Sequence, residues 1–439
     1  MVELFSAFQN FQPIKVLVVG DFMLDTYTTG KVQRISPEAP VSVLKVEEEK
    51  ALPGGAGNVV LNLLSLGANV IPLGRVGRDA KGEELLQVMQ KEGVSTQYLL
   101  KQAGYSTPVK NRMVASSQQI LRVDWEKNLP ISSSLEEKIT QLFPCLLSQV
   151  DIVAVSDYLK GFLSSKLLKS LIQAAKKYHV PVIVDPKGKD FSKYKGATLI
   201  KPNQVEAYQA AHLAEDASIE EVAKKLQKIT EIDHIFITRS EEGITLLSNA
   251  GKLEHFKAHK KEVKDVTGAG DTVLAVLCMA IGNKIDLADA AKLSNVAASI
   301  VIERLGCAKI KLSELARHLL LIDSERKIFH ESHLHALQEA LKEKPFSIIA
   351  MDSRQDFSPS LLMKLQKSEQ TEEIIIFIKD ANPDAEFINF LATLKAVNFI
   401  LLKKESLQTL CKNLSPKSIY SADKKSLKPL KEFSQLISA

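Results

Sequence analysis

The feature that most constrains the fold of this chain is an alternation of short β-branched runs with amphipathic helical stretches. The first run, residues 15–20, ends in glycine, which is typical of a buried strand opening an α/β domain. Similar runs recur at 151–156, 180–185, 198–201 and 234–238, separated by helical patterns such as 164–178 and 219–229. The alternation predicts a doubly wound, mostly parallel α/β sheet. Its ligands should gather at the carboxyl ends of the strands.

Two segments interrupt this alternation. Residues 41–47 and 108–125 have the composition of strands, and no helical pattern accompanies them. They predict a small accessory β sheet that acts as a lid over the ligand crevice. The alternative is that they are ordinary edge strands of the main sheet.

The distribution of glycine divides the chain. All 20 glycines lie between Gly20 and Gly306, whereas average usage of about 7% would place roughly nine in the remainder. We therefore predict two domains, residues 1–323 and 324–439, that meet in a charged stretch. Strand patterns at 346–352, 373–379, 397–403 and 418–420 alternate with helical ones, so the second domain should be a small Rossmann-like α/β domain.

Charge, hydropathy and cysteine content exclude several classes of protein. The 57 Lys and Arg residues exceed the 52 Asp and Glu residues by only five, which does not indicate nucleic-acid or membrane binding. No apolar run approaches the roughly 18 residues that a membrane span requires, and the first residues lack the pattern of a secretion signal. The four cysteines form no C-x-x-C pair, so neither a zinc cage nor a disulfide framework is expected. A cytoplasmic location fits these features best.

The sharpest local motif is D-V-T-G-A-G-D at residues 265–271, followed by a helical run over 272–280. The backbone amides of Gly268, Ala269 and Gly270 would point from the start of a helix toward an anion such as a phosphate. Asp271 would lie where these donors converge, and could take a proton from a hydroxyl group while the amides stabilise a transferring phosphoryl group. The alternative is that Asp271 only caps the helix.

This heptapeptide resembles the D-T-x-G-A-G-D signature of the ribokinase (PfkB) family of carbohydrate kinases. Residues 52–58, L-P-G-G-A-G-N, are similar to the second signature of that family, and residues 203–206 are similar to its N-x-x-E motif. The resemblance implies a ribokinase-like fold, with ATP as phosphoryl donor and Mg²⁺ as metal. For the N-x-x-E segment alone, capping of the following helix is the alternative.

A narrower resemblance involves residues 20–25, 34–40, 156–161, 184–188 and 238–241. Together they are similar to the kinase domain of the bifunctional heptose 7-phosphate kinase/heptose 1-phosphate adenylyltransferase family, over about residues 10–320. The resemblance implies ATP-dependent phosphorylation of D-glycero-D-manno-heptose 7-phosphate at its anomeric hydroxyl. This cytoplasmic step leads toward ADP-heptose and the lipopolysaccharide core. The family also suggests a homodimer.

The resemblance assigns roles to particular residues. It makes Asp271 the general base and places Gly268, Ala269 and Gly270 in the anion hole. The residues that would hold the sugar are Asp25, Gly54, Gly55 and Asn58. The residues that would face ATP or its metal are Asn203, Glu206, Thr238, Arg239 and Asp265, with Glu206 as the metal ligand.

A phosphorylated sugar also needs cations, because a dianion that enters a closed crevice must be matched by charge-assisted donors. The candidates are Lys110, Arg112 and Arg122 in the lid segment, and Lys187 after a strand. Lys187 is favoured because it lies at the carboxyl end of a strand and a glycine follows it. For each of them, a solvated surface charge is the alternative.

The second domain faintly resembles the adenylyltransferase half of the same family. Such transferases place an H-x-G-H motif after the first strand, where this chain has S-R-Q-D-F-S-P at 353–359; S-A-D at 421–423 replaces a G-G-D motif. We therefore predict a degenerate transferase domain retained for dimerisation, stability or partner contact. His330, His333 and His335 are predicted to be surface residues rather than metal ligands.

Three other interpretations of the whole chain remain open at this point. They are a kinase for another phosphorylated sugar, a fully bifunctional kinase and adenylyltransferase, and a catalytically inactive binding module. The intact G-A-G-D stretch disfavours the last, because an inactive module has no need to keep a base beside an anion hole.

Overall fold

The protein is represented by a computed structural model. It describes residues 2–116, 118–258, 262–304, 306–323, 327–329, 333–353, 361, 363–365, 372–402, 407–422 and 427–430. The chain forms two compact units. The large unit is Phe11–Ile310, and the small unit combines Met1–Asn10 with Lys311–Ala439.

The large unit carries the elements that build the site. Its strands are β1 (Lys15–Gly20), β2 (Phe22–Ile35), β3 (Ser42–Gly55), β4 (Asn69–Gly77), β5 (Leu99–Gln102), β6 (Val109–Ala115), β7 (Gln118–Trp125), β8 (Ile152–Ser156), β9 (Val182–Asp185), β10 (Leu199–Ile200), β11 (His234–Thr238), β12 (Ile244–Leu247) and β13 (Leu253–Phe256). In chain order after helix α1 of the small unit (Val2–Gln9), its helices are α2 (Ala56–Ser65), α3 (Ala80–Lys91), α4 (Ser133–Leu147), α5 (Ser165–Lys177), α6 (Gln204–Ala211), α7 (Ile219–Thr230), α8 (Ala269–Gly282) and α9 (Leu287–Val301).

A nine-stranded sheet forms the centre of the large unit. Its strand order is β13-β12-β11-β10-β9-β8-β1-β4-β5, and all neighbours from β11 to β5 pair in parallel, whereas β12 and β13 are antiparallel additions. Strand β8 is buried at every residue, as expected for a β-branched strand with helices on both faces. The predicted doubly wound α/β sheet is confirmed.

A separate four-stranded sheet, with the order β3-β2-β6-β7, forms the accessory sheet. Strands β2 and β3 pair antiparallel over 14 residues each, much longer than the predicted segment at 41–47. The prediction of an accessory sheet is confirmed, and the edge-strand alternative is wrong. Only Asp21 separates the end of β1 from the start of β2, so this sheet is attached directly at the carboxyl edge of the central sheet.

The parallel register brings the ends of distant segments together. Gly20 of β1 pairs with Ser156 of β8, which in turn pairs with Asp185 of β9. The residues that follow these strands therefore share one edge of the sheet, where parallel α/β folds bind their ligands.

The small unit contains α1, α10 (Leu312–Asp323), β14 (Ile328–Phe329), α11 (Leu334–Leu341), β15 (Phe346–Met351), β16 (Glu373–Ile378), α12 (Ala385–Thr393), β17 (Phe399–Leu402), α13 (Leu407–Leu414), β18 (Ser418–Ala422) and β19 (Leu427–Pro429). Its sheet has the order β14-β17-β16-β15-β18-β19 and is parallel except for the last pair. This arrangement confirms the predicted Rossmann-like α/β domain. Of the replaced motifs, only Ser353, Ser421 and Ala422 lie within the described residues.

The boundary between the units differs from the predicted division after residue 323. Helix α10 packs against α11, and α1 packs against both, so these helices belong to the small unit. The sequence misleads here because the charged stretch at 323–327 lies more than ten residues beyond the structural division between 310 and 311, whereas the last glycine, Gly306, lies just before it.

The expectation of surface histidines is wrong for His333, which is only 6% exposed and stacks its ring edge-on against Phe329 at 5.7 Å. The ring of His335 lies 5.8 Å from that of Phe8. His330 lies outside the described residues. Among those described, no group of three or more metal-ligating side chains forms a metal site, and none of the helices is long and apolar enough to span a membrane.

We predict that Phe8→Ala destabilises the small unit by about 3–5 kcal/mol, because Phe8 is fully buried and its removal leaves a cavity. Phe390→Ala is the matched control, since that side chain is 50% exposed and surface substitutions usually change stability by about 0.5 kcal/mol or less. Denaturant unfolding followed by circular dichroism measures both. Equal effects of the two substitutions would contradict the assignment of α1 to a packed core.

Candidate active site

A cleft of about 930 Å³ lies at the carboxyl edge of the central sheet. Much of its polar lining follows strands β8 to β11 and the start of α6: Asp157, Tyr158, Asp185, Lys187, Lys201, Asn203, Glu206, Thr238, Ser240 and Glu241. Asn295 and Ser299 of α9 add to it. Its apolar wall includes Ile244, Val263, Val266, Val273 and Ile302. Residues Ala269 and Gly270 of α8 complete it. An apolar wall beside a cluster of charged groups suits a ligand with an aromatic base and phosphates.

The glycine motif forms the turn that starts α8. Gly268 has a φ of +81°, and a Cβ atom there would lie 2.7 Å from Asn58 Nδ2, so only glycine fits. The N–H of Ala269 donates to the carbonyl of Val266 at 3.2 Å. Gly270 follows in the first helical turn, whose N–H groups have no acceptors within the helix. The Ala269 N–H is thus engaged within the turn, contrary to the expectation that it points at an anion. Ala269 and Gly270 line the cleft, so the positive end of α8 is placed where an anion could bind.

Asp271 lies in the first turn of α8 and is only 4% exposed. Its Oδ2 accepts a hydrogen bond from Asn58 Nδ2 at 2.8 Å, and its Oδ1 accepts one from the Tyr158 hydroxyl at 2.8 Å. The N-cap residue is Gly268, so the alternative in which Asp271 only caps the helix is wrong. Burial raises the pKa of Asp271 from 3.8 to about 6, although both hydrogen bonds oppose that rise.

The residues predicted to hold the sugar lie on the accessory-sheet side of Asp271. Asp25 is buried and forms an ion pair with Arg112 at 2.5 Å, and its other oxygen accepts a hydrogen bond from the thiol of Cys307 at 3.3 Å. A Cβ atom at Gly54 would lie 2.2 Å from that same oxygen. Asp25, Gly54, Asn58 and Asp271 are therefore brought together, while the guanidinium of Arg112 is directed at Asp25.

The N-x-x-E segment forms a capping box at the start of α6. Asn203 Oδ1 accepts from the Glu206 N–H at 2.9 Å, and Glu206 Oε2 accepts from the Asn203 N–H at 3.0 Å. Glu206 Oε1 pairs with Lys187 Nζ at 2.5 Å. Capping, the alternative for this segment, is thus realised in the structure, while Asn203, Glu206 and Lys187 also line the cleft. Lys187 lies among these residues and not with the sugar-side group of Asp25.

Of the remaining predicted residues, Thr238 lies in the cleft, whereas the side chains of Arg239 and Asp265 are engaged with other residues of the chain. The guanidinium of Arg239 is paired with Glu242. Asp265 accepts hydrogen bonds from the backbone and hydroxyl of Thr267 and from the N–H of Gly306. Partial burial raises the pKa of Asp265, but these bonds outweigh it and hold that pKa below its ordinary value. Its carboxylate holds the motif loop together.

Sequence reasoning missed Tyr158, Asp185 and Lys201 as site residues. Lys201 Nζ pairs with Asp185 Oδ2 at 3.0 Å, and both groups lie close to Gly270. Burial raises the pKa of Asp185 to about 7, and Lys201 only partly offsets it. The signal was present in the sequence, because each of the three lies at or directly after the end of a strand in the parallel sheet.

The cleft fits a magnesium ion held by few protein ligands. Asp185 and Glu206 line the same wall, and the negative charge of Glu206 contributes to the raised pKa of Asp185. Hard divalent cations bind carboxylate oxygens, and Mg²⁺ commonly uses one or two of them together with phosphates and water. Asp185 and Glu206 therefore offer oxygen ligands that suit such an ion, although each is paired with a lysine, Asp185 with Lys201 and Glu206 with Lys187.

The comparisons with known proteins agree with this geometry. The family model described as pfkB family carbohydrate kinase matches residues 13–314. The chain is 40% identical over 353 residues to the bifunctional protein HldE of Trichlorobacter lovleyi, covering 80% of this chain and 72% of that protein. It is 36% identical over 419 residues to the bifunctional protein HldE of Geobacter metallireducens, covering 91% and 86%.

Two solved structures show the same fold at low sequence identity. The Arabidopsis thaliana ribokinase complexed with ribose and ATP superposes with a TM-score of 0.55 at 18% identity, covering 70% of this chain and 99% of that one. Phosphofructokinase-2 from Escherichia coli in complex with potassium gives a TM-score of 0.58 at 17% identity, with coverage of 70% and 99%.

We predict that Asp271→Asn stabilises the large unit at neutral pH. The folded protein binds the Asp271 proton more tightly than the unfolded chain does, so this carboxyl makes folding less favourable as the pH rises from 3.8 to about 6. Above that range, replacing it should add on the order of 1–3 kcal/mol to the free energy of unfolding. Thermal unfolding between pH 5 and pH 8 measures the gain, which should grow with pH and then level off.

Asp265→Asn is the matched control in the same loop. The pKa of Asp265 is held below its ordinary value, so the carboxylate stabilises the fold at neutral pH. Because Asp265 is only partly buried and solvent weakens its interactions, its loss should cost about 1 kcal/mol there. A destabilising effect of both substitutions at pH 8 would show that Asp271 is not buried as described.

Proposed function

Because the chain belongs to the pfkB family of carbohydrate kinases, we propose that it transfers the γ-phosphoryl group of ATP to O1 of D-glycero-β-D-manno-heptose 7-phosphate. The product is the 1,7-bisphosphate, an intermediate on the route to ADP-heptose and the lipopolysaccharide core. The observation that carries the proposal is the buried carboxylate of Asp271, held by Asn58 and Tyr158 at the start of α8. We infer that the enzyme acts in the cytoplasm as a homodimer, with no nucleic-acid partner.

Asp271 would serve as the general base. Its carboxylate takes the proton of the O1 hydroxyl, the resulting oxygen attacks the γ-phosphorus, and the bond from that phosphorus to the bridging oxygen of ADP breaks. ADP leaves with the bonding electrons. A base with a pKa of about 6 is largely ionised at neutral pH and still strong enough to accept a proton in the transition state.

The start of α8 and Lys201 would stabilise the phosphoryl group during transfer. Charge accumulates on its oxygens, and positioned N–H groups and cations stabilise that charge best in a site that excludes water. ATP would lie in the cleft with its phosphates toward Gly270 and its base against the apolar wall. Mg²⁺ held by Asp185 and Glu206 would supply neutralisation of the phosphate charge.

The 7-phosphate would bind at Lys110 on β6. Lys110 is partly buried, and burial lowers its pKa, with the positive charges of Lys160 and Arg122 adding to that effect. The charged form of a partly buried lysine is stabilised strongly by a bound dianion such as a phosphate. Two of the other candidate cations, including the favoured Lys187, are already paired with carboxylates: Arg112 with Asp25 and Lys187 with Glu206.

The small unit is proposed to support dimerisation, stability or partner contact. The HldE proteins to which the chain is similar are named as bifunctional, and alignments with them extend over 91% of this chain. A second transferase activity is therefore the competing function. The segment at 353–359 contains neither histidine nor glycine, which argues against that activity because transferases of this type use both to hold the reacting phosphate.

The decisive test of the kinase proposal is ATP-dependent phosphorylation of β-heptose 7-phosphate by the wild type and by Asp271→Asn. Loss of the base should lower kcat by about 10²–10⁴, while binding of the sugar changes little. Ribose, fructose 6-phosphate and the α-anomer are compared in parallel, and turnover of one of these alone would move the enzyme to another substrate. The same mixtures, supplied with heptose 1-phosphate, are analysed for ADP-heptose, whose formation would restore the bifunctional interpretation.

Lys110→Met should raise KM for heptose 7-phosphate by about tenfold to a hundredfold, since a hydrogen bond to a charged group contributes roughly 1.5–3 kcal/mol. KM for heptose without the 7-phosphate should change little. Lys127→Met is the matched control, because Lys127 is exposed in the segment that follows β7. Steady-state kinetics with both sugars measures the difference. An equal rise in KM for both sugars would place the phosphate elsewhere.

A further inference from the structure

Tyr158 follows β8 and occupies a junction between the cleft, the accessory sheet and the base. Its hydroxyl donates to Asp271 Oδ1 at 2.8 Å, and the side chain lines the cleft. Lys110 Nζ of the accessory sheet lies 5.3 Å from the centre of the Tyr158 ring, within the range of a cation–π contact. No part of the proposed phosphoryl transfer requires a phenol at this place.

The backbone around Tyr158 is fixed from two directions. Its N–H donates to Asp21 Oδ2 at 2.9 Å, and Asp21 is only 2% exposed. On the other side, a Cβ atom at Gly55 would lie 3.4 Å from Cδ2 of the ring. The backbone of Tyr158 is thus fixed by Asp21, its ring lies next to Gly55, and its hydroxyl is held by the hydrogen bond to Asp271.

We propose that Tyr158 is a positioning residue for the general base: its hydroxyl fixes the orientation of the Asp271 carboxylate and leaves one acceptor site on Oδ1 for the hydroxyl of the sugar. A carboxylate oxygen has two acceptor sites, so the phenol and the sugar hydroxyl can bind the same atom. Asn58 holds the second oxygen at 2.8 Å. The carboxylate is thus held at both ends, with the free site facing the substrate. The part of this proposal that concerns the sugar rests on the proposed kinase function.

Tyr158 remains protonated throughout the reaction. Burial, together with the negative charge of Asp271, holds the pKa of Tyr158 well above its ordinary value. The phenol is therefore a permanent donor to Asp271 and does not itself take the proton of the sugar. A donated hydrogen bond stabilises the ionised carboxylate, so Tyr158 also lowers the pKa of Asp271 against the effect of burial.

Several other groups influence the protonation of Asp271 and stay unchanged when Tyr158 is altered. Asn58 and Lys201 favour the ionised carboxylate, whereas Asp25 disfavours it. The charged and titratable groups facing Asp271 from the surrounding elements are Asp25 of β2, Tyr158 after β8, Asp185 of β9, Lys201 after β10 and Cys307 after α9. Replacing Tyr158 by phenylalanine removes one donor and retains the ring.

The primary test measures the pKa of Asp271 directly in the full-length protein without substrate. Protein labelled with carboxyl-¹³C aspartate is titrated by NMR, and the Asp271 signal is identified by its loss in Asp271→Asn. In Tyr158→Phe this pKa should rise by about one unit, because one pKa unit corresponds to about 1.36 kcal/mol and a hydrogen bond to a charged group contributes at least that much. An unchanged pKa would overturn the proposal.

Tyr194→Phe is the matched control. It also removes a buried phenolic hydroxyl, but that hydroxyl donates to Asp157 Oδ2 at 2.7 Å. The pKa of Asp271 should stay at its wild-type value in this variant. If the pKa of Asp271 rose by a similar amount in both variants, the cause would be a general loosening of the fold when a phenolic hydroxyl is removed. That result would also overturn the proposal.

The second readout is the pH dependence of kcat/KM for the sugar phosphate that the wild type phosphorylates. The acid limb reports the base of the free enzyme, and it should move upward by about one pH unit in Tyr158→Phe and not in Tyr194→Phe. Wild-type protein that phosphorylates none of the sugars would refute the kinase proposal, while a raised pKa in the NMR titration would still establish the role of Tyr158.

Discussion

The site depends on the burial of one carboxylate. Asp271 is almost inaccessible to solvent, and an ionised group in such a place is costly unless donors satisfy it. Asn58 on α2 and Tyr158 after β8 each give one of its oxygens a hydrogen bond. Three parts of the chain that are far apart in sequence must therefore meet with correct geometry. The residual cost of burial raises its pKa into the range that suits a base.

Glycine is required where these parts meet. At Gly268 a side chain would collide with Asn58 Nδ2, the atom that donates to Asp271, and the positive φ would add strain. At Gly54 a side chain would collide with the carboxylate of Asp25. The two glycine motifs thus make room for polar side chains as well as for ligands. Each motif therefore lies beside a buried acid, Asp271 next to Gly268 and Asp25 next to Gly54.

The sequence predicts well whatever a local pattern determines. Strand–helix alternation gave the parallel sheet, and the motifs located Asp25, Asn58 and Asp271. It predicts poorly whatever depends on partners distant in sequence. The pairing of Lys187 with Glu206 and of Arg112 with Asp25 arises only when the strands align, so neither is visible in a local pattern. The position of Tyr158 after a strand was visible in the sequence, but its contact with Asp271, 113 positions away, was not. The division of the chain was misplaced since helix packing, and not composition, sets it.

The charge balance at the carboxyl edge bears on how a nucleotide can bind there. The parallel register places Asp21, Asp157 and Asp185 at one edge of the sheet, and Asp271 of α8 is near enough for its charge to act on Asp185. Lys193 pairs with Asp157 and Lys201 with Asp185, yet burial still raises the pKa of Asp21 and Asp271 to about 6 and that of Asp185 to about 7. Those carboxylates at this edge that are ionised oppose the approach of a free polyphosphate. In the proposed function, a nucleotide that arrives as its magnesium complex would bring positive charge to these carboxylates, so the acids at this edge would favour a metal-bound substrate.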